Sequence, residues 1–256
     1  METQCRRAFQ TLYLTVTNTA MKPHRFFLTV VFLFSLLSCK AQTNNNTLTA
    51  IRKAEQALKQ HPKDQQAWQQ LYALMNENYT KLTAEERARL RKVLQQYGIW
   101  STGTLYTSKE PGTKIIIKGQ IINTQGKPVA NASLHIFQTD SHGYYTPLDS
   151  IEKKMGEPDA RLFCFLKTDA NGNFEIHTIR PASYPMQYNG RTIPQHIHNN
   201  ITARGYTGKN LQMVFEDDPA MNSYWLLWAG NNNFPVLQLN NDTPEKVATV
   251  TILLMK

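Results

Sequence analysis

Apolar positions change period once along the chain. Trp68, Leu71, Tyr72 and Met75 fall at i, i+3, i+4 and i+7, a single helix face. Asp64 stands just ahead of it, where a short acceptor side chain caps the first turn. A further helix is predicted from Thr83, with Glu86 three residues on as a capping box. Leu90, Val93 and Leu94 carry it, and Gly98 stops it. From residue 113 the apolar runs become short and β-like: Ile115–Ile117, Ile121–Ile122, Leu134–Phe137, Phe163–Lys167 and Phe174–Ile179. Ile197–Thr202, Leu211–Phe215, Val236–Leu239 and Val247–Leu254 continue the series. Gly126-Lys127-Pro128, Asp169-Ala170-Asn171-Gly172 and Asn189-Gly190 separate runs as turns. No helical pattern intervenes, so residues 113–256 are expected to be mainly β, an antiparallel β-sandwich. Residues 48–100 form a small N-terminal helical segment beside it.

The first 39 residues follow a different logic. Lys22 and Arg25 precede a twelve-residue apolar run, Phe26 to Leu37, which ends at Ser38-Cys39. A basic start, a short apolar stretch and a small residue before the processing point describe an export signal. The run falls short of the about 20 apolar residues that span a bilayer. Cys39 after a small residue resembles a bacterial lipobox, although Leu37 stands where a smaller residue is usual. Lipidation at Cys39 is therefore expected, with the protein exported and held at a membrane surface facing the periplasm or the cell exterior. A plain cleaved signal is the alternative. Met21 opens this signal, so residues 1–20 read as an upstream start without a structural role. Residues 40–47 are polar and Asn-rich, a tether.

Composition narrows the partners. Of 256 residues, 41% are hydrophobic and 18% charged, a globular balance. The formal charge is +9; without Arg6, Arg7, Lys22, Arg25 and Glu2 of the leader, 24 basic and 18 acidic residues leave +6. These charges are scattered, with no basic block and no interleaved aromatic platform, which argues against a nucleic-acid partner. Cys164 is the one cysteine beyond the leader, so an internal disulfide is excluded there. It sits in the apolar run Leu162 to Leu166 and reads as a buried, inert thiol.

The candidate chemistry centres on His196-Ile197-His198. In an extended strand, residues i and i+2 share a face, so both imidazoles reach one metal. Alone the pair is weak, because it also occurs on surfaces and in cupin sites. The glutamate a cupin places a few residues later is missing from Asn199 to Ala203. Tyr184-Pro185 lies twelve residues ahead of His196, and Tyr145 closes the segment from Phe137. Two tyrosines with two histidines make a possible four-ligand set for ferric iron. A hard, highly charged cation favours anionic oxygen donors and accepts imidazole. It also ionises phenols well below their free pKa of about 10.

Over residues 113–220 the chain resembles the intradiol ring-cleavage dioxygenases, with motifs in the family's order. Gly119-Gln120-Ile121, Gly126 to Val129 and Ala132 look like its opening strand and turn. Phe137-Gln138 through Gly143 to Tyr145 is similar to its first-ligand segment, which normally begins with tryptophan. Thr168 to Phe174, Thr178 to Pro181, Tyr184-Pro185, His196-Ile197-His198 and Gln212 to Pro219 follow. The resemblance implies that Tyr145, Tyr184, His196 and His198 bind non-haem Fe(III), with Tyr184 and His196 axial. It also implies that Tyr184 leaves the iron when a catechol chelates it and takes up a substrate proton. Oxygen then attacks the substrate, and the bond between the hydroxylated carbons breaks to give a muconate-type diacid. Aromatic diol and O2 are the implied partners. Tyr144 competes with Tyr145, since strand alternation turns only one inward; alignment on Gly143 favours Tyr145.

Gln212 matches a glutamine that lines the family's active site, and reads equally as an exposed strand residue. Where the family usually carries an arginine, three residues before the first histidine, this chain has Ile193. Arg191, two residues away, is the candidate replacement. Met186 stands where tryptophan often follows the Tyr-Pro pair. The rival reading is a non-catalytic transthyretin-like or carboxypeptidase-regulatory-like sandwich, which fits the turns but gives no role to Tyr184 and the histidines. An inactive iron-binding relative is a third. His135, His142 and His177 are candidates for a second metal site, though strand and loop positions favour packing or surface roles.

Overall fold

The computed structural model describes residues 46–148, 159–240 and 246–256. The signal, Cys39 and the tether as far as residue 45 lie outside the described residues, whereas residues 46 and 47, expected in the tether, are helical. Among the described residues, no helix is long and apolar enough to cross a membrane.

Within the unit Thr49–Lys256, the helical layer forms from the signals its sequence carries. Residues 49–60 are helical (α1). Gln65–Glu77 (α2) starts where Asp64 accepts the Gln66 and Ala67 amides. Ala84–Gln96 (α3) starts at the Thr83/Glu86 capping box. Trp68, Leu71, Tyr72 and Met75 are all buried, the predicted face. The Trp68 indole N–H donates to the Leu94 carbonyl at 2.8 Å, tying α2 to α3.

The β elements are Thr102–Thr104 (β1), Lys114–Asn123 (β2), Ser133–Gln138 (β3), Leu162–Lys167 (β4) and Asn173–Ile179 (β5). Gln187–Tyr188 (β6) and Arg191–Thr192 (β7) form a short hairpin, followed by His196–Thr202 (β8) and Lys209–Phe215 (β9). Helix Ser223–Asn231 (α4), Val236–Leu237 (β10) and Lys246–Leu254 (β11) complete the chain. Two sheets result, ordered β1-β5-β2-β11 and β10-β9-β8-β3-β4. The alternating strands turn Ile115, Ile117 and Ile121 of one sheet inward, and Ile136, Ile197 and Met213 of the other, all buried.

The central pairings β2–β5, β3–β4, β3–β8 and β8–β9 are antiparallel, as expected. Three outer pairings are instead parallel: β1–β5, β9–β10 and β2–β11. A parallel neighbour needs a crossover rather than a hairpin. For β9 and β10 that crossover is α4, a helix the sequence pattern does not announce. Its run Tyr224 to Trp228 is aromatic and aliphatic all round, with only Trp225 and Ala229 buried, so no 3.6-residue stripe stands out. β1 likewise extends the sheet ahead of residue 113.

The helical layer packs on the outer face of the second sheet. The Tyr72 ring meets Phe163 edge-on at 5.3 Å, and its hydroxyl donates to the Leu105 carbonyl at 2.5 Å. The Arg91 guanidinium lies 4.0 Å over the same Phe163 ring. On this face the register aligns Phe137 with His198, and His135 with Phe165. Their rings form a column: His198 on Phe137 at 4.6 Å, Phe137 beside His135 at 5.0 Å, His135 on Phe165 at 4.6 Å.

His135 Nε2 is buried with no hydrogen-bond partner among the described residues. Burial, with help from the Arg91 charge, pushes its pKa from 6.5 down to about 4. The unfolded chain therefore binds this proton at a higher pH than the fold does. The contribution is intact above about pH 6.5 and is lost as pH falls towards 4, by about 1.4 kcal/mol per pH unit. His135→Phe should remove that part of the slope when chemical denaturation is followed across this range. An identical pH dependence in the two proteins would show that the ring is solvated.

Candidate metal and catalytic site

Strand period places His196 and His198 on one face of β8, and both are buried. Phe137 lies opposite His198 on β3, and its ring is parallel to the imidazole within 4°. The His196 Nδ1–H donates to the Pro194 carbonyl at 2.7 Å; a carbonyl only accepts, so Nε2 is the bare nitrogen. Burial depresses the pKa of both histidines, His198 to about 3, with His196 and His135 adding repulsion. For His196, the Pro194 bond and the Asp218 charge oppose that shift. Both rings are neutral at neutral pH, with lone pairs available.

The tyrosines arrive on loops from different sheets. β3 of one sheet leads into the Tyr145 loop, and β5 of the other into the Tyr184 loop. Buried side chains fasten the two exits together. The Gln138 amide donates to the Ile179 carbonyl at 2.8 Å and accepts from the Thr178 hydroxyl at 2.8 Å. The Thr139 hydroxyl donates to the Ala182 carbonyl at 2.8 Å, and the Ala182 N–H returns to the Asp140 carbonyl at 3.0 Å. The Asp140 carboxylate accepts the His142 and Tyr144 amides at 2.9 and 3.1 Å, closing the turn before Tyr145. Gly143 completes it at φ +86°, and a Cβ there would run into the Ser183 carbonyl.

Four donor atoms converge. Tyr145 Oη lies 2.8 Å from His198 Nε2, and Tyr184 Oη lies 2.9 Å from His196 Nε2 and 3.4 Å from His198 Nε2. The two phenol oxygens also touch each other. Two phenol oxygens, the bare His196 Nε2 and His198 Nε2 are thus within contact of one another. A single cation among them could be held by two oxygens and two nitrogens at once, so the donor set fits a metal, and its two phenol oxygens fit a hard one. Tyr145 is 2% exposed and Tyr184 is half-buried. Tyr144, its competitor in sequence, is half-buried and has its backbone, not its ring, engaged by Asp140.

The remaining candidates divide. Gln212 pairs with His198 across β8 and β9, on the same face and half-buried. Arg191 is not brought to the four donors: its guanidinium lies 4.5 Å over the Tyr224 ring and donates to the Asn189 carbonyl. Ile193 is half-buried. His135, His142 and His177 do not gather into a second site. His135 is in the aromatic column, His142 is exposed beside Ser141, and His177 contacts Glu175 on the other sheet at 2.6 Å. Among the described residues, no cluster of three or more His, Cys, Asp or Glu side chains could hold a metal. Gln138, Thr139, Asp140, Thr178 and Pro194 support the site but carry no signal of it beyond the turn-forming Asp140-x-x-Gly143.

Gly143→Ala should destabilise the fold by at least about 1–2 kcal/mol from the left-handed backbone alone, with the Ser183 clash added. The measurement is a denaturation midpoint; an unchanged midpoint would refute this close approach of the two loops.

Comparisons with known proteins match the chain to a family. The chain is 29% identical over 122 residues to catechol 1,2-dioxygenase of Candida albicans, covering 43% of this chain and 39% of that protein. It is 27% identical over 124 residues to hydroxyquinol 1,2-dioxygenase of a Rhizobium species, with 44% and 41% covered. With the protocatechuate 3,4-dioxygenase beta chain of Burkholderia cepacia it shares 32% over 113 residues, with 43% and 48% covered. The matches thus span under half the length of these relatives. The crystal structure of 3-chlorocatechol 1,2-dioxygenase from Rhodococcus opacus aligns with a TM-score of 0.47 at 19% identity, covering 84% of this chain and 99% of that one. The family profile Dioxygenase_C, described as Dioxygenase, matches residues 101–253, well over half of the chain. The protein belongs to the dioxygenase family of intradiol type.

Proposed function

We propose that this protein is a non-haem Fe(III) intradiol dioxygenase that cleaves a catechol-type ring with O2 to a muconate-type diacid. The convergence of the Tyr145, Tyr184, His196 and His198 donor atoms carries the reading, and these four residues would hold the ion. When bound, ferric iron supplies the Lewis acidity that takes up an aromatic diol as its dianion and makes the ring reactive towards oxygen.

The protein's own residues then have separable tasks. Tyr145 and His198 are fixed, the first by burial and the second by the Phe137 ring pressed against it. Tyr184 is more exposed than Tyr145 and sits on a loop outside the strands, so of the two phenols it is the better placed to turn towards solvent. Its phenolate oxygen is suited to accept a proton from the substrate hydroxyl as that hydroxyl approaches. Gln212, opposite His198, faces the same space and can hydrogen-bond the bound ring. One observation favours an inactive iron-binding relative instead. Arg191 is engaged with Tyr224, and Ile193 occupies the family's usual arginine position, so neither supplies a positive charge for the substrate.

The purified protein should bind one ferric ion and show a broad visible tyrosinate-to-iron band. Tyr145→Phe or Tyr184→Phe should shift or weaken that band, whereas Tyr144→Phe should leave it in place. A protein that stays colourless and iron-free after reconstitution would sink the metal assignment. A shift with Tyr144→Phe alone would move it to the other tyrosine.

Catechol, hydroxyquinol and protocatechuate should then be offered to the iron-loaded protein in an oxygen electrode. Uptake of one O2 per diol, with a muconate-type product spectrum, is expected for at least one of them. No uptake by a correctly loaded site would favour the inactive relative.

A further inference from the structure

The turn entering β8 holds a carboxylate-to-histidine connection that runs through a peptide bond. Pro194 contributes the carbonyl that accepts the His196 Nδ1–H at 2.7 Å. The same planar peptide unit ends in the Gln195 N–H, which donates to the Asp218 carboxylate at 2.5 Å. Asp218 is 5% exposed, and its other oxygen accepts the Ala220 N–H at 2.7 Å. The Gln195 side chain is clamped as well. Its carbonyl oxygen accepts from Arg180 Nε at 2.5 Å, and Arg180 pairs with Asp217 through both terminal nitrogens at 2.8 and 2.7 Å.

The consequence follows from amide electronics. An anion accepting the N–H of a peptide pushes electron density towards its C=O, and linked hydrogen bonds strengthen one another. The Pro194 oxygen thereby becomes a better acceptor for the imidazole N–H, and His196 Nε2 a more basic donor. Histidine ligands in many metal sites hydrogen-bond a carboxylate directly, which orients the ring and raises its basicity. Here one peptide unit is interposed. A simpler account, in which Asp218 only caps the turn at Ala220, leaves the Gln195 bond without a purpose.

We propose that Asp218 is a positioning residue that fixes the tautomer and raises the donor strength of His196 through the Pro194–Gln195 peptide. The inference rests on the reading of His196 as a ferric ligand, and it makes a separate prediction for the metal-free protein. There, 15N NMR of the full chain reads the tautomer directly. The parent should show the Nδ1–H form of His196 alone, and Asp218→Ala should admit the Nε2–H form. In the ferric protein, Asp218→Asn keeps an acceptor oxygen for Gln195 but removes the charge. It should move the tyrosinate-to-iron band to longer wavelength and raise the ferric/ferrous midpoint potential. Asp218→Ala should do both more strongly and lower ferric affinity about tenfold or more.

Val129→Ala, a buried truncation away from this turn, controls for lost stability. It should lower the denaturation midpoint while leaving tautomer, band and affinity unchanged. If Val129→Ala shifts them as Asp218→Ala does, the role of Asp218 is merely structural and the relay is overturned. Asp218→Asn and Asp218→Ala proteins identical to the parent in band, potential and tautomer would overturn it too. A parent that takes up no ferric iron refutes the ligand reading instead; the NMR comparison then still decides whether Asp218 governs His196.

Discussion

The register of β8 between β3 and β9 is the constraint on which the rest of the site depends. A strand period of two means that a slip of one residue would carry His196 and His198 into the space between the sheets. Ile197 and Asn199 would move to the outer face in their place. The register is specified strongly because both neighbours contribute to it. Met213 faces Ile197 on the inner face, while Phe137 and Gln212 flank His198 on the outer one. The inner face is imperfectly apolar: the Asn199 amide, opposite Ile136, is fully buried and has no hydrogen-bond partner among the described residues, a cost the fold tolerates three residues from His196 and next to His198.

The donor set is also an inter-sheet device. His196, His198 and Tyr145 come from one sheet and its loop, and Tyr184 from a loop of the other. Gln138, Thr139, Thr178 and Asp140 stitch the exits of β3 and β5 by side-chain and backbone hydrogen bonds, so the two loops cannot move apart without breaking buried polar contacts. Outside this seam, the helical layer supports β4 and β3 from the same face that carries the histidines. Tyr72 and Arg91 bear on Phe163, and the ring column from Phe165 to His198 transmits that support by contact.

Much of this was legible in the amino-acid order because it depends on local periodicity. The caps at Asp64 and Thr83, the buried face of α2, the central strands and the shared face of His196 and His198 all follow from spacing. The parallel pairings and α4 did not, since a crossover helix with an almost wholly apolar run has no stripe to detect. Alignment on Gly143 pointed to Tyr145 rather than Tyr144, and the φ of that glycine shows why the position matters: only a residue without a side chain lets the loop pass Ser183. Arg191 illustrates the opposite limit. Sequence proximity made it a substitute for the absent arginine, but an exposed side chain goes where its nearest favourable partner lies, and here that is the Tyr224 ring.

At the proposed ferric site, the two phenolic protons among the four converging side chains would make metal acquisition an exchange reaction. With both imidazoles already neutral, a ferric ion bound there would displace protons only from Tyr145 and Tyr184. Apparent affinity would then climb by about a hundredfold per pH unit below the phenol pKa, one factor of ten for each proton released. A site of this kind discriminates by acidity as well as by size. Divalent ions, weaker at ionising a phenol, would compete poorly at neutral pH, and the acidity at which the chain meets iron would set how completely it is loaded.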